Sequence, residues 1–183
     1  MPDRKAVLLV DETGRITGAA GKIEAHESPG RLHLAFSVCV FRRGETLLQK
    51  RADSKYHFPG VWANACCSHP EPGEDLVASA TARLRDELGV DCELRDVGTF
   101  VYRAVDAASG RVEHELDHVL VGELPDGAEP VPAPDEVSAV AWRDAAEVLG
   151  DASAGAGVGP AAYAPWLAEV LRLALAGRAG GGS

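Results

Sequence analysis

The chain reads as an α+β or mixed α/β fold. Strand-length apolar runs outnumber helical stretches, the two kinds are interleaved along the chain, and glycine or proline punctuation separates them. KAVLLV at 5–10 followed by DETGRITGAAG predicts a hairpin with Gly14 in its turn, and LHLAFSVCVF followed by RRGETLLQKR predicts a second with Gly44 in its turn. Over residues 74–88 the period changes: Leu76, Ala80, Leu84 and Leu88 recur every four residues, acids open the first turn, and Gly89 stands ready to end a helix. Residues 92–105 and 112–124 predict two strands turning at Ser109 and Gly110, and a proline-rich loop follows from Pro125 to Pro134. VSAVAWRD is a short strand leading into a helical AAEVL, DASAGAGVGPAA at 151–162 reads as a mobile link, and PWLAEVLRLALAG as an amphipathic closing helix. With no repeat and no internal boundary, residues 1–176 are expected to form one domain and the glycine-rich 177–183 a disordered tail.

Composition narrows the function. A chain of 183 residues, 46% hydrophobic and 25% charged, can bury a core, and a formal net charge of -10 argues against wrapping nucleic acid, which rests on clustered Lys and Arg. An anionic ligand must be held by a local basic or metal site. Four cysteines, two of them adjacent, lack the spacing of a secreted disulfide framework, so reduced thiols and a cytoplasmic setting are expected. The opening MPDRKAVLLVDETG has too short an apolar run for a signal peptide or a membrane span.

The polar residues point to metal chemistry. Glu113 and Glu115 lie two apart in a predicted strand and so share a face, while His114 between them points the other way. His26 and His33 flank the turn-forming SPGR, and His69 closes Cys66-Cys67-Ser68-His69, a stretch that fits half a metal site, a nucleophile with its base, or a buried turn. Three imidazoles and two carboxylates together make a five-donor nitrogen and oxygen set suited to Mn, Mg, Fe or Zn. Glu87 falls at the border of the helix's apolar stripe, near the sheet.

The stretch from Ser68 to Val90, with Glu74, Leu84, Asp86, Glu87, Leu88, Gly89 and Val90 at their spacing, resembles a Nudix box in which Ser68, Ala82 and Arg83 hold the places of the opening glycine, a second glutamate and an Arg-Glu pair. RLHLAF (31–36), KRADSK (50–55), FPGVWANACCSHP (58–70), ARLRDELGV (82–90), FVYRA (100–104), EHE (113–115) and APW (164–166) together resemble the type 1 isopentenyl-diphosphate isomerases. That resemblance implies a Nudix-like fold of mixed β-sheets sandwiched with helices. It also implies interconversion of isopentenyl and dimethylallyl diphosphate through a tertiary carbocation. The implied metal ligands are His26, His33, His69, Glu113 and Glu115, holding Mn2+, Zn2+ or Mg2+. A substrate-bound Mg2+ would be held by Glu87 and the Cys67 backbone carbonyl, and the diphosphate by Lys22, Arg51, Lys55 and Arg83.

Within the same resemblance Glu115 with Tyr102 is the proton donor and Cys67, as a thiolate of lowered pKa, the base, with Trp166 shielding the cation. Phe58 stands where relatives often carry Trp. Expected partners are a prenyl diphosphate, neither nucleic acid nor membrane, and at most a weak homodimer. The alternative is a Nudix hydrolase of a nucleoside or prenyl diphosphate, against which the missing box acids count.

Overall fold

The computed structural model describes residues 6–155 and 162–180. Its first hairpin is β1 (Ala6–Val10) and β2 (Ile16–Gly21), turned by Gly14 at φ 82°. A four-residue helix, α1 (Lys22–Ala25), follows directly and was not evident from periodicity, because one turn is too short to show a period. The second hairpin is β3 (His33–Arg42) and β4 (Glu45–Arg51), closed at Arg43 and Gly44, both with positive φ.

Two three-residue strands, β5 (Trp62–Asn64) and β6 (Cys66–Ser68), fill the segment between β4 and the main helix. They too lie below the length at which alternation is legible. β5 pairs with β4, and β6 pairs with β3 so that Cys67 lies opposite Ser37. α2 spans Leu76–Leu88, with the Asp75 carboxylate accepting from the Ala78 amide at 2.9 Å and Gly89 ending it at φ 64°. The helix therefore starts after Glu74, whose carboxylate instead accepts from the Glu71 amide and the Ser79 hydroxyl.

β7 (Arg95–Val105) and β8 (Val112–Glu123) form the longest antiparallel pair, and β9 (Val137–Asp144) pairs with β4. β3 and β8 run parallel in register from His33 opposite Glu115 to Phe41 opposite Glu123, which places one metal-ligand candidate beside another. The remaining strand pairs are antiparallel, and together the nine strands make one mixed sheet system.

Helices cover two apolar surfaces of these strands. One core packs α2 through Ala80, Leu84 and Leu88 against Phe36, Val38 and Leu120. The other packs α3 (Ala145–Ser153) and α4 (Leu167–Gly180) against Cys39, Phe41, Val119 and Val121. Burial of this kind contributes about 25 cal/mol per Å2 of apolar surface removed from water.

The link expected over 151–162 is helical at its start, since residues 151–153 complete α3, and 156–161 lie outside the described residues. The disordered tail expected from Gly177 is likewise corrected: α4 continues to Gly180, and 181–183 lie outside the described residues. Gly177 is needed there because a Cβ at that position would meet the Val97 side chain at 2.4 Å, so glycine lets α4 lie close on β7. Among the described residues no helix is long and apolar enough to cross a membrane.

Candidate active site

Strand alternation separates the adjacent cysteines. Cys66 faces the α2 core and is fully buried, while Cys67 faces the opposite way into a cavity of about 30 Å3 shared with Arg51, His57, His69, Tyr102, Glu113, Glu115 and Trp166. Ser68 is an extended strand residue and does not need the glycine conformation that its position in the box suggests.

His26, His33, His69, Glu113 and Glu115 offer ligand atoms that all lie within 4.8 Å of one another, and each residue is buried. His26 comes from the end of α1, His33 from the start of β3, His69 from the residue after β6, and the two glutamates from one face of β8. His26 Nε2 lies 2.9 Å from Glu113 Oε2; His69 Nε2 lies 2.7 Å from Glu115 Oε1 and 3.1 Å from His33 Nε2. On their outer edges His26 Nδ1 meets the Lys22 carbonyl and His33 Nδ1 the Arg31 carbonyl, each at 2.7 Å. A carbonyl can only accept, so each Nδ1 donates and each Nε2 faces the cage, the orientation from which a deprotonated imidazole binds a cation. Two buried carboxylates with inward-facing imidazole nitrogens fit a divalent ion in mixed nitrogen and oxygen coordination.

The electrostatics follow the same geometry. Burial pushes the Glu113 carboxyl up, but bonds from His26 and His57 outweigh it and hold it well below the usual range. Burial and the Glu113 charge act upward on Glu115, and its contacts with His33 and His69 bring it below. Burial also lowers His69, to about 4, so its imidazole is neutral near pH 7. His26 is raised, because Glu113 overcomes the cost of burial. His114 bonds the Gly30 carbonyl on the far face of β8, and His118 pairs with Asp96, so both stand outside the cage as the alternation predicts.

Tyr102 donates its hydroxyl to Glu115 Oε2 at 2.5 Å, directly opposite it in the β7–β8 register. Burial first, then the Glu115 charge, keeps that hydroxyl protonated. Cys67 feels opposing influences from the protein's own groups. Burial and the Asp117 carboxyl push its thiol up to about 12, against the weaker lowering by Ser37, Arg51 and Asn64, so the sulfur is protonated in these surroundings. Trp166 is buried, tilted over Tyr102 at 5.8 Å between centroids and edge-on to Phe58 at 5.5 Å. Phe58 itself adopts φ 45°, a left-handed conformation costly for a bulky residue; its amide donates to Asp106 and its carbonyl accepts from Arg51.

The diphosphate candidates divide into groups. Arg51 lines the cavity and also donates to the His57 carbonyl, while Lys22 at the start of α1 lies over the Tyr56 ring. Arg83 is ion-paired with Glu87 one turn later on α2 and lies 3.5 Å from Glu136, which also pairs with Lys55. Glu87 further accepts from Gln49 at 3.2 Å. Sequence reasoning missed His57, Asn64, Asp117 and Glu136. His57 contacts Glu113, and only the FPGVWANACCSHP neighbourhood could have hinted at it.

Residues 31–167 match the NUDIX domain model. The chain is 54% identical over 169 residues to the isopentenyl-diphosphate Delta-isomerase of Nocardia farcinica, covering 92% of this chain and 93% of that protein. It belongs to the isopentenyl-diphosphate Delta-isomerase family of NUDIX proteins. A second member, from Halorhodospira halophila, is 43% identical over 167 residues, covering 91% of this chain and 93% of that protein. The fold extends further: a crystal structure from Deinococcus radiodurans superimposes with a TM-score of 0.72 at 19% identity, over 92% of this chain and 98% of that one. Arg83 puts a cation into the stretch that resembles the box.

Proposed function

We propose that this chain interconverts isopentenyl diphosphate and dimethylallyl diphosphate. The observation that carries the reading is the shared cavity in which Glu115, bonded to Tyr102 and built into the five-donor cage, lies with the Cys67 thiol and the Trp166 ring. The reaction adds a proton to the terminal alkene carbon, giving a tertiary carbocation, and removes one from the carbon next to the one bearing the diphosphate. Composition is unchanged, so one group gives a proton and another takes one. In the charge state these surroundings favour, Cys67 holds a proton and Glu115 does not. One turnover passes the pair to the complementary state, in which Glu115 with Tyr102 is the donor and Cys67 the base.

Trp166, walled by Phe58 and Tyr102, excludes water that would capture the cation, and an aromatic face stabilises a cation by about 0.5–2 kcal/mol. His26, His33, His69, Glu113 and Glu115 would hold a divalent ion, Mn2+, Zn2+ or Mg2+, whose charge polarises Glu115. Glu87 and the Cys67 carbonyl would hold a second, substrate-bound Mg2+. Lys22, Arg51, Lys55 and Arg83 would clamp the diphosphate, with Lys55 and Arg83 exchanging Glu136 for phosphate oxygens. We place the protein in the cytoplasm, as a monomer or weak homodimer.

The test is incubation with isopentenyl diphosphate and Mg2+, following the allylic isomer by NMR. Wild-type protein converts it, and Cys67→Ala, folded and metal-replete, does not. Phosphate release without isomerisation would reverse the conclusion in favour of a hydrolase.

A further inference from the structure

We infer that Asn64 is a positioning residue for this isomerisation, its single amide oxygen holding the Cys67 thiol and the Trp166 indole against one cavity. The inference rests on the isomerase reading and adds a residue to it. Asn64 ends β5 and is fully buried. Its Nδ2 donates to the Val38 carbonyl at 3.1 Å and to the Cys66 carbonyl at 2.9 Å. Those two acceptors fix which end of the amide is which, since a flipped side chain would set oxygen against two carbonyl oxygens.

With the amide plane locked, Oδ1 points away from the strand backbone and accepts twice: from the Cys67 thiol and from Trp166 Nε1, each at 3.2 Å. Sulfur and indole come from positions 99 residues apart and have no other common polar partner among the described residues. The Phe58 and Tyr102 rings set the indole's tilt, and the N–H bond to Asn64 fixes where its polar edge lies. The sulfur is similarly pinned between Asn64 Oδ1 and, more loosely, Ser37 Oγ at 3.5 Å. One atom thus sets the proton-handling group and the cation's wall in register.

A purely structural role, tying β5 and β6 to β3 through the two donors, predicts something different on substitution. Asn64→Ala and Trp166→Phe, singly and together in the full chain loaded with metal, separate the two. If the link positions the site, each single variant loses about 10- to 100-fold in kcat with KM within about twofold. The double variant then falls by less than the product of the two single losses, because both delete the N–H bond they share. In 1H–15N spectra the Trp166 indole N–H signal, recognised by its absence from Trp166→Phe, moves in Asn64→Ala while those of Trp62 and Trp142 stay.

An Asn64→Ala enzyme with wild-type kcat, an unmoved Trp166 signal, or losses that multiply in the double variant would overturn the inference. Should Asn64→Ala not fold, Trp166 replaced by 3-benzothienylalanine decides it: the bicyclic ring is kept and only the N–H is lost, so wild-type kcat there overturns the link and a tenfold loss upholds it. Failure of the wild-type protein to isomerise would remove the isomerase reading, while the indole signal still reports whether the Asn64 bond exists.

Discussion

Acidification should loosen this fold through His69, and the amount can be worked out. The imidazole is neutral in the folded chain down to about pH 4, against an ordinary value of 6.5. Between those values the unfolded chain binds a proton that the folded one refuses, so stability falls as pH drops through this window. Other groups of the cage do not mask the effect above 4.5. The lowered carboxyls of Glu113 and Glu115 are ionised in both states there, and raised His26 is protonated in both states below 6.5. His57, also lowered by burial, adds to the loss with the same sign.

With a slope that reaches about 1.36 kcal/mol per unit only below 6.5, moving metal-free protein from about pH 6.5 to about pH 5 removes about 1.6 kcal/mol through His69 alone. Urea midpoints read by far-UV circular dichroism in chelator at several pH values measure it. His69→Asn should flatten the slope by about one proton. Identical slopes for wild type and variant would refute the reasoning.

Tyr102→Phe should keep fold and metal but lower kcat by about 10²-fold or more, because Glu115 loses its hydroxyl donor; steady-state kinetics with isopentenyl diphosphate read this. Arg83→Met should destabilise by about 3 kcal/mol, leaving Glu87 buried without its cation, and should raise KM, as thermal melts and initial rates would show. Gly177→Val should cost about 1–3 kcal/mol by forcing α4 off Val97, with thermal melting as the measure.

The cage was legible in the sequence because its logic is periodic. Glu113 and Glu115 share a face by strand alternation, and the same rule turns His114 away, whereas Cys67 was set apart from Cys66 only by the motif resemblance. The main helix was legible to within two residues because its stripe runs over several turns and both ends carry stop signals. Asn64 and His57 were not, since their importance lies in contacts with residues far along the chain that no local period encodes. β5, β6 and α1 are too short for a period at all. The upward pressure on the Cys67 thiol was not legible, because a sequence cannot say how thoroughly a thiol is taken out of water or that Asp117 will lie nearby.

The parallel pairing of β3 with β8 has a consequence for how the protein is made. All five cage donors precede residue 116, and β9, α3, Trp166 and α4 follow them. During translation the ribosome therefore releases all five candidate donors before the Trp166 indole has emerged. The two buried glutamates and the histidines that bond them can therefore be paired before the last apolar helix arrives to cover Cys39, Phe41 and Val119.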